Sequence, residues 1–221
     1  FHGETWVDAK QRLYNRLDHW LYRRSPYVIA VSRRQQALLA GWGVPPERVT
    51  VLYNAISLAP ATPHAPGPCR NLLCVGRFSR EKGQLILVRA AQQLVARGRR
   101  DFTLTLVGDG REWEAVRRYV TAQNLDGVVR LEGHRQDVIP YYRAADLYVL
   151  PSLTEGIPNV LLEAALYYVP IVGFDVGGVP EMFEAGREAR LLAQHDEAAL
   201  ADAIAEFLDD PAPFQALARA A

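Results

Sequence analysis

From Asn71 onward, short apolar runs alternate with helical patterns, and little else remains. The strand-like runs are NLLCVG (71–76), FTLTLVG (102–108), VVRLEG (128–133), DLYVLP (146–151), PIVGF (170–174) and ARLLA (189–193). Between them the apolar period predicts helices near 82–97, 111–124, 136–145, 158–168, 180–185 and 196–209. Several runs are apolar throughout rather than alternating, as strands covered on both faces by helices must be. The predicted fold class is therefore α/β: a doubly wound, Rossmann-like domain around a parallel sheet. Such sheets bind ligands beyond the carboxyl ends of their strands, here marked by Gly76, Gly108, Gly133 and Pro151.

The first 57 residues read differently. A helix near 4–24 is followed by a strand, YVIAVS, a helix near 33–41 and a second strand, VTVLYN. Two strands and two helices cannot bury a core of their own, so these pieces read as the trailing edge of a second sheet. The segment APATPHAPGP (59–68) carries four prolines, which suits a stiff linker and sets the boundary near residue 60. Two domains follow: a remnant over 1–60 and a Rossmann-like domain over 61–221. The first helix, with KQRLYNRLDHWLYRR, is basic and aromatic. It reads either as a membrane-surface helix or, as preferred here, as a helix packing Leu13, Leu17, Trp20 and Leu21 on its own domain.

Lys+Arg and Asp+Glu number 25 each, so no bulk field recruits nucleic acid or an anionic membrane. Anion recognition has to be local. Cys69 and Cys74 make no disulfide framework or metal knuckle, so a reducing cytoplasm is expected. No apolar run reaches about 18 residues, the length of a spanning helix. The start, FHGETWV, is not a signal peptide and reads as the middle of a longer protein.

The stretch TEGIPNVLLEAALYYVP (154–170) places two glutamates, Glu155 and Glu163, seven residues apart beyond a predicted strand. Pro158 suits the first helical position. A helix starting there leaves the amides of Gly156, Ile157, Asn159 and Val160 free to hold an anion. Glu155 then precedes the helix and Glu163 stands about 7–8 Å along it, so a diphosphate at the start would meet a carboxylate on each side. Carboxylates accept from sugar and ribose hydroxyls. Taken singly, Glu155 complements the helix dipole and Glu163 is a surface residue; the Gly-x-Pro-Asn between them and the strand before them favour a site.

A second cluster, CVGRFSREKGQ, puts Arg77 and Lys82 after the strand ending at Gly76. Alone they read as solvated charges; above the same crevice they form a diphosphate clamp. There is no D-x-D, no metal-ligand spacing and no P-loop motif. Cations and helix amides would then replace Mg²⁺ at a diphosphate leaving group. VGDGR (107–111) lacks the third glycine of a dinucleotide fingerprint and reads as a plain turn.

In order along the chain, VGRFSREKG, LVGDG, EGHRQDVIPYYRAADLYVLPS, EGIPNVLLEA and PIVGFDVGGVPE resemble the family-4 retaining glycosyltransferases of GT-B fold. Upstream, IAVSRRQQALLAGWGVPPERVTVLYNAIS is similar to that family's interdomain link, and FHG to the end of an N-domain strand. The resemblance implies two facing Rossmann-like domains. Residues 61–221 would be the nucleotide-sugar domain, truncated at its last helix, and 1–60 the end of an acceptor-binding domain whose earlier part is missing. Glu155 would contact the donor sugar and Glu163 the ribose. Gly76, Arg77, Lys82 and the amides of Gly156 to Val160 (through Ile157, Pro158 and Asn159) would hold the diphosphate. Main chain near His134 and Arg135 would meet the base. His2 matches an N-domain histidine that approaches the sugar.

The implied reaction retains configuration without a covalent nucleophile, a metal or a bound cofactor. It moves sugar from a nucleotide-sugar, a UDP-sugar in first place, to a glycan or lipid-linked acceptor of a surface polysaccharide. The implied location is cytoplasmic, at the inner face of the membrane, with peripheral contact by the intact protein. Departures are N-A-I-S (54–57) in the link, Tyr167 and Tyr168 where a glycine often ends the helix, and Ala189 near the last strand. A sugar phosphorylase or epimerase of the same fold, and a non-catalytic nucleotide-sugar module, are the alternatives.

Overall fold

The structure is a computed structural model describing residues 9–56, 70–183, 186–193 and 195–221. His2, Cys69 and the proline-rich link at 59–68, with the boundary near residue 60, lie outside the described residues.

The six runs form one parallel sheet of strands β3 (Asn71–Val75), β4 (Thr103–Val107), β5 (Val129–Gly133), β6 (Leu147–Leu150), β7 (Ile171–Phe174) and β8 (Arg190–Leu192). Their order is β5-β4-β3-β6-β7-β8. The chain thus starts in the middle, builds outward to β5, then crosses back to β6. This reversal puts β3 and β6 side by side, with Leu72 opposite Leu147 and Leu73 opposite Tyr148. Every residue of β6 and β7 is buried. That explains why their sequences do not alternate: both faces meet helices.

Those helices are α3 (Gln84–Ala96), α4 (Trp113–Ala122), α5 (Ile139–Ala144), α6 (Asn159–Leu166), α7 (Val179–Met182) and α8 (Glu197–Asp209). A further helix, α9 (Ala212–Ala220), occupies the stretch read as a truncated end; its Phe214 is buried edge-on against Phe207 at 5.5 Å. Asp146, 7% exposed, ties the sheet at its amino edge by accepting from the amides of Arg70 and Asn71, each at 2.8 Å.

Before this domain lie α1 (Ala9–Arg24), β1 (Val28–Ala30), α2 (Arg33–Gly41) and β2 (Val49–Val51). β1 and β2 pair in parallel as a two-stranded sheet, and only Val28, Ala30, Leu39, Val44 and Val49 form its described buried cluster. Ile29 and Leu52 remain 55% and 61% exposed, since a two-stranded sheet with one small cluster leaves a face uncovered. Of the stripe expected on α1, the described Leu17, Trp20 and Leu21 are about half exposed rather than packed. Instead α1 meets the unit through His19 and Tyr22 stacked on Trp42, at 4.0 and 6.3 Å, which leaves Leu17, Trp20 and Leu21 on the outer side.

Four of the helices end alike. At α2, α3, α4 and α6 the residue after the cap takes a left-handed backbone, and the next amide reaches back to the carbonyl five residues earlier: Val44 to Leu39, Arg99 to Leu94, Leu125 to Val120 and Val169 to Ala164. Gly43, Gly98 and Asn124 suit that conformation; the fourth such residue is Tyr168, with φ +56°.

Candidate functional site

The reversal in strand order places the loop after β3 against the loop after β6. Gly83, with φ +68°, lets the first loop touch the second: a Cβ there would run into the Pro151 carbonyl. The Leu153 amide donates to the Glu81 carbonyl at 2.8 Å. Across this contact Lys82 Nζ donates to both oxygens of Glu155, at 2.7 and 2.9 Å. The Glu155 side chain is 6% exposed and that of Lys82 28%. A carboxylate so buried must be paired, and the ammonium supplies the partner. Two of the three N–H groups of Lys82 are thereby used, leaving one for an incoming anion.

Glu155 and Lys82 were read as separate contacts, one to sugar and one to phosphate. The fold makes them one unit, 73 residues apart in sequence. Arg77 does not join it: its side chain is 69% exposed and its partner is Glu81, 3.6 Å away one helical turn on. The buried Gln84 fixes the backbone below, its Nε2 donating to the Arg77 carbonyl at 3.0 Å. The strand-end glycines act as spacers. A Cβ on Gly108 would meet the Gly76 carbonyl, and one on Gly110 the Phe78 carbonyl. VGDGR is therefore a close-packed turn against the Gly76 loop.

Helix α6 begins one residue later than predicted. Pro158 has an extended backbone (φ −77°, ψ 119°) and occupies the cap position, so Asn159 is the first helical residue. A proline cap has no side-chain oxygen to offer, and none caps this helix. The amides of Gly156, Ile157, Asn159 and Val160 have no backbone carbonyl partner among the described residues. The carbonyls of the same loop, by contrast, are engaged. That of Gly156 accepts from the Gly178 amide at 2.9 Å, and that of Ile157 from Asn54 Nδ2 at 2.7 Å. The Glu155 carbonyl lies so close to Gly177 (φ +55°) that a Cβ there would overlap it. The loop thus leaves its donors open and its acceptors taken, which is the polarity an anion site needs.

Glu163 is the fifth residue of α6 and half-buried. Beneath it Tyr142 stacks between Tyr148 and Tyr167, at 5.8 and 6.0 Å, and donates to the Val160 carbonyl at 3.2 Å. Burial, then Tyr148 and the Glu163 carboxylate, push the Tyr142 hydroxyl far above the phenol range. Burial does the same to Tyr148, which brackets the amide and carbonyl of Val75. Both therefore stay neutral and hold the first turn of α6 against β3. The Cys74 thiol, pushed up to about 12 by burial, is an inert filler.

His134 and Arg135 follow β5 and are exposed. The Arg135 guanidinium is bound to Glu132 at 2.8 Å, and Tyr141 donates to the same carboxylate at 2.9 Å. The Tyr141 bond and the Arg135 charge hold the Glu132 carboxyl below its ordinary range. No group of three metal-ligating side chains occurs among the described residues.

Sequence reasoning missed Glu181. Its Oε2 accepts from the Arg33 amide and its Oε1 from the Arg34 amide, each at 2.7 Å, and Tyr53 donates to Oε2 at 3.2 Å. The only sequence signal was its position at the end of GGVPE, beside two glycines that pack on the loop of residues 155–157.

An uncapped helix start at the reversal point of a doubly wound sheet, with a lysine and two carboxylates around it, stands where open α/β sheets take their ligands. The chain belongs to the group 1 glycosyltransferases: the "Glycosyl transferases group 1" model covers residues 69–210, and the "Glycosyltransferase Family 4" model covers residues 1–59. Among curated relatives, the glycogen synthase of Mycobacterium tuberculosis is 33% identical over 98% of this chain and 54% of its own length. The lipopolysaccharide core biosynthesis mannosyltransferase LpcC of Rhizobium leguminosarum is 31% identical over 93% of this chain and 61% of its own. Among solved structures, Anabaena HepE in complex with UDP-glucose superposes with TM-score 0.80 at 25% identity, over 95% of this chain and 61% of that one. TarM of S. aureus shares the fold, with TM-score 0.84 at 20% identity over 99% of this chain and 44% of that one. The chain spans little more than half the length of the curated relatives it matches.

Proposed function

We propose that this chain carries the donor site of a retaining, metal-independent glycosyltransferase that takes a nucleoside-diphosphate sugar, a UDP-sugar first, and builds a surface polysaccharide on a glycan or lipid-linked acceptor. The observation that carries the reading is the Lys82–Glu155 pair beside the uncapped start of α6. Membership of the glycosyltransferase family supports it, as do relatives named for glycogen and lipopolysaccharide core synthesis and a UDP-glucose complex in a structural neighbour.

In this reading the diphosphate lies on the amides of Gly156, Ile157, Asn159 and Val160. The remaining N–H of Lys82 faces its oxygens, and the Arg77 guanidinium reaches them only by leaving Glu81. Glu155 keeps lone pairs for a sugar hydroxyl, and Glu163, one turn above the diphosphate, accepts from the ribose. Main chain at His134 and Arg135 meets the base. Cleavage of the bond between the anomeric carbon and the bridging phosphate oxygen puts negative charge on that departing oxygen, where in this reading amides and Lys82 point. That oxygen takes the acceptor's proton as the new glycosidic bond forms on the same face. The family resemblance gives His2, which lies outside the described residues, a role at the sugar. The site works at the cytoplasmic face of the membrane, with the exposed Leu17, Trp20 and Leu21 of α1 and its basic neighbours available for peripheral contact. Lys82 is given over to Glu155 and so is a poor imine former, which disfavours a pyridoxal-dependent phosphorylase.

A thermal-shift panel of UDP-, GDP- and ADP-sugars tests this directly. Any ligand that binds the folded state raises the transition by mass action. A rise with one base series that survives EDTA is expected; no rise with any, or one that EDTA abolishes, refutes the donor site or its metal independence.

A further inference from the structure

Helix α2 starts at Arg33, and its four leading amides all have partners. The Gln35 amide goes to its own cap, Ser32 Oγ, at 3.0 Å, and the Gln36 amide to the Ser32 carbonyl at 3.0 Å. The first two, of Arg33 and Arg34, are taken by one carboxylate 147 and 148 residues away, that of Glu181. The two bonds use different oxygens, so the carboxylate is held in one orientation, and its charge faces the positive end of the helix. Glu181 itself stands on α7, which begins directly after Gly177 and Gly178. Those glycines press on the carbonyls of Glu155 and Gly156, and a Cβ at Gly178 would also lie 2.9 Å from Ser32 Cβ. On the other side Asn54 Nδ2 holds the Ile157 carbonyl, and a Cβ at Gly156 would approach Val31 to 3.1 Å.

We propose that Glu181 is a positioning residue: it locks the β1–α2 edge of the N-terminal unit onto the loop of residues 155–158, so that occupancy of the donor loop is felt at the start of α2. Nothing about its own side chain requires contact with donor. Its effect runs through the Gly177–Gly178 turn, whose contacts fix the carbonyl side of the same loop that presents its amides to the anion. The coupling half of this inference rests on the donor site proposed above; the clamp half rests on the Glu181 contacts alone.

Hydrogen exchange on the full chain separates the two. In Glu181→Gln, which keeps size and removes charge, the amides of Arg33 and Arg34 should exchange about tenfold faster, while that of Gln36, bonded to Ser32, keeps its rate. Glu181→Ala should show a larger gain, and Tyr53→Phe, which removes only the 3.2 Å contact, little. Saturating UDP-glucose should slow exchange at Arg33 and Arg34 in the wild type and leave Glu181→Gln unaffected. Unchanged rates at both amides in the Gln and Ala variants would overturn the clamp. Donor protection that persists in Glu181→Gln would overturn the coupling. If UDP-glucose does not bind the wild type, the donor reading fails for that sugar, while the exchange rates without ligand still decide the clamp.

Discussion

Two helices begin within a few residues of the same seam, and they are finished in opposite ways. The start of α2 is saturated: Ser32 and Glu181 between them occupy all four leading amides. The start of α6 has a proline for its cap and no side-chain partner. A helix start leaves four donors unpaired, and a chain that fills one set with its own carboxylate has shown how such a set can be satisfied. At α6 the sequence Gly-Ile-Pro-Asn withholds every ordinary cap while strapping the carbonyls behind it. The closed start joins two units; the open one has the polarity of a ligand site. The carboxylates near it, Glu155 and Glu163, are placed not to cap it but to flank whatever does.

That contrast can be broken in graded steps. The largest effect should come from the turn that holds both starts together. Gly177→Ala puts a methyl group into the Glu155 carbonyl at a left-handed residue, so a loss of about 3 kcal/mol or more is expected in denaturant unfolding. Ser32→Ala removes the local cap of α2 and should cost about 1 kcal/mol by the same measurement. At the other end of α6 a smaller change runs in the opposite direction. Tyr168 holds a left-handed conformation that Gly43 and Gly98 occupy at comparable helix ends, and it is 40% exposed, so little packing would be lost. Tyr168→Gly should stabilise the domain by roughly 0.5 kcal/mol, and a destabilisation would mean that the exposed ring makes contacts worth more than the backbone strain.

The strands and helices of the larger domain were legible because both-face burial leaves unbroken apolar runs, and the predicted runs meet the observed strands within a residue at each end. The site was legible only as two separate halves. Periodicity says that the Arg77–Lys82 loop and the Glu155 loop sit at carboxyl ends of strands, but it does not give strand order. Only the observed order, with β3 beside β6, brings Lys82 onto Glu155 and leaves Arg77 outside on Glu81. Pro158 was misplaced by one residue because a proline suits both the cap and the first helical position, and only ψ distinguishes them. The stripe on α1 reads as packed because amphipathic helices usually bury their apolar face, but among the described side chains it is His19 and Tyr22 that meet the unit, at Trp42 and its buried cluster. Glu181 carried only the weak signal of closing GGVPE: a carboxylate that caps a helix in another unit has no spacing rule.

The central claim is that the open start of α6, with Glu155 and Glu163 on either side, holds a nucleoside-diphosphate sugar. Calorimetric titration of the full chain with the best ligand of the sugar panel, in wild type and in Glu163→Ala, tests it most directly. Glu163 is only half-buried, so the substitution should leave the unfolding transition within about 1 kcal/mol of wild type. The account predicts that donor affinity falls at least about a hundredfold, the loss of two hydrogen bonds to a charged acceptor. Undiminished affinity in a folded Glu163→Ala protein would contradict it.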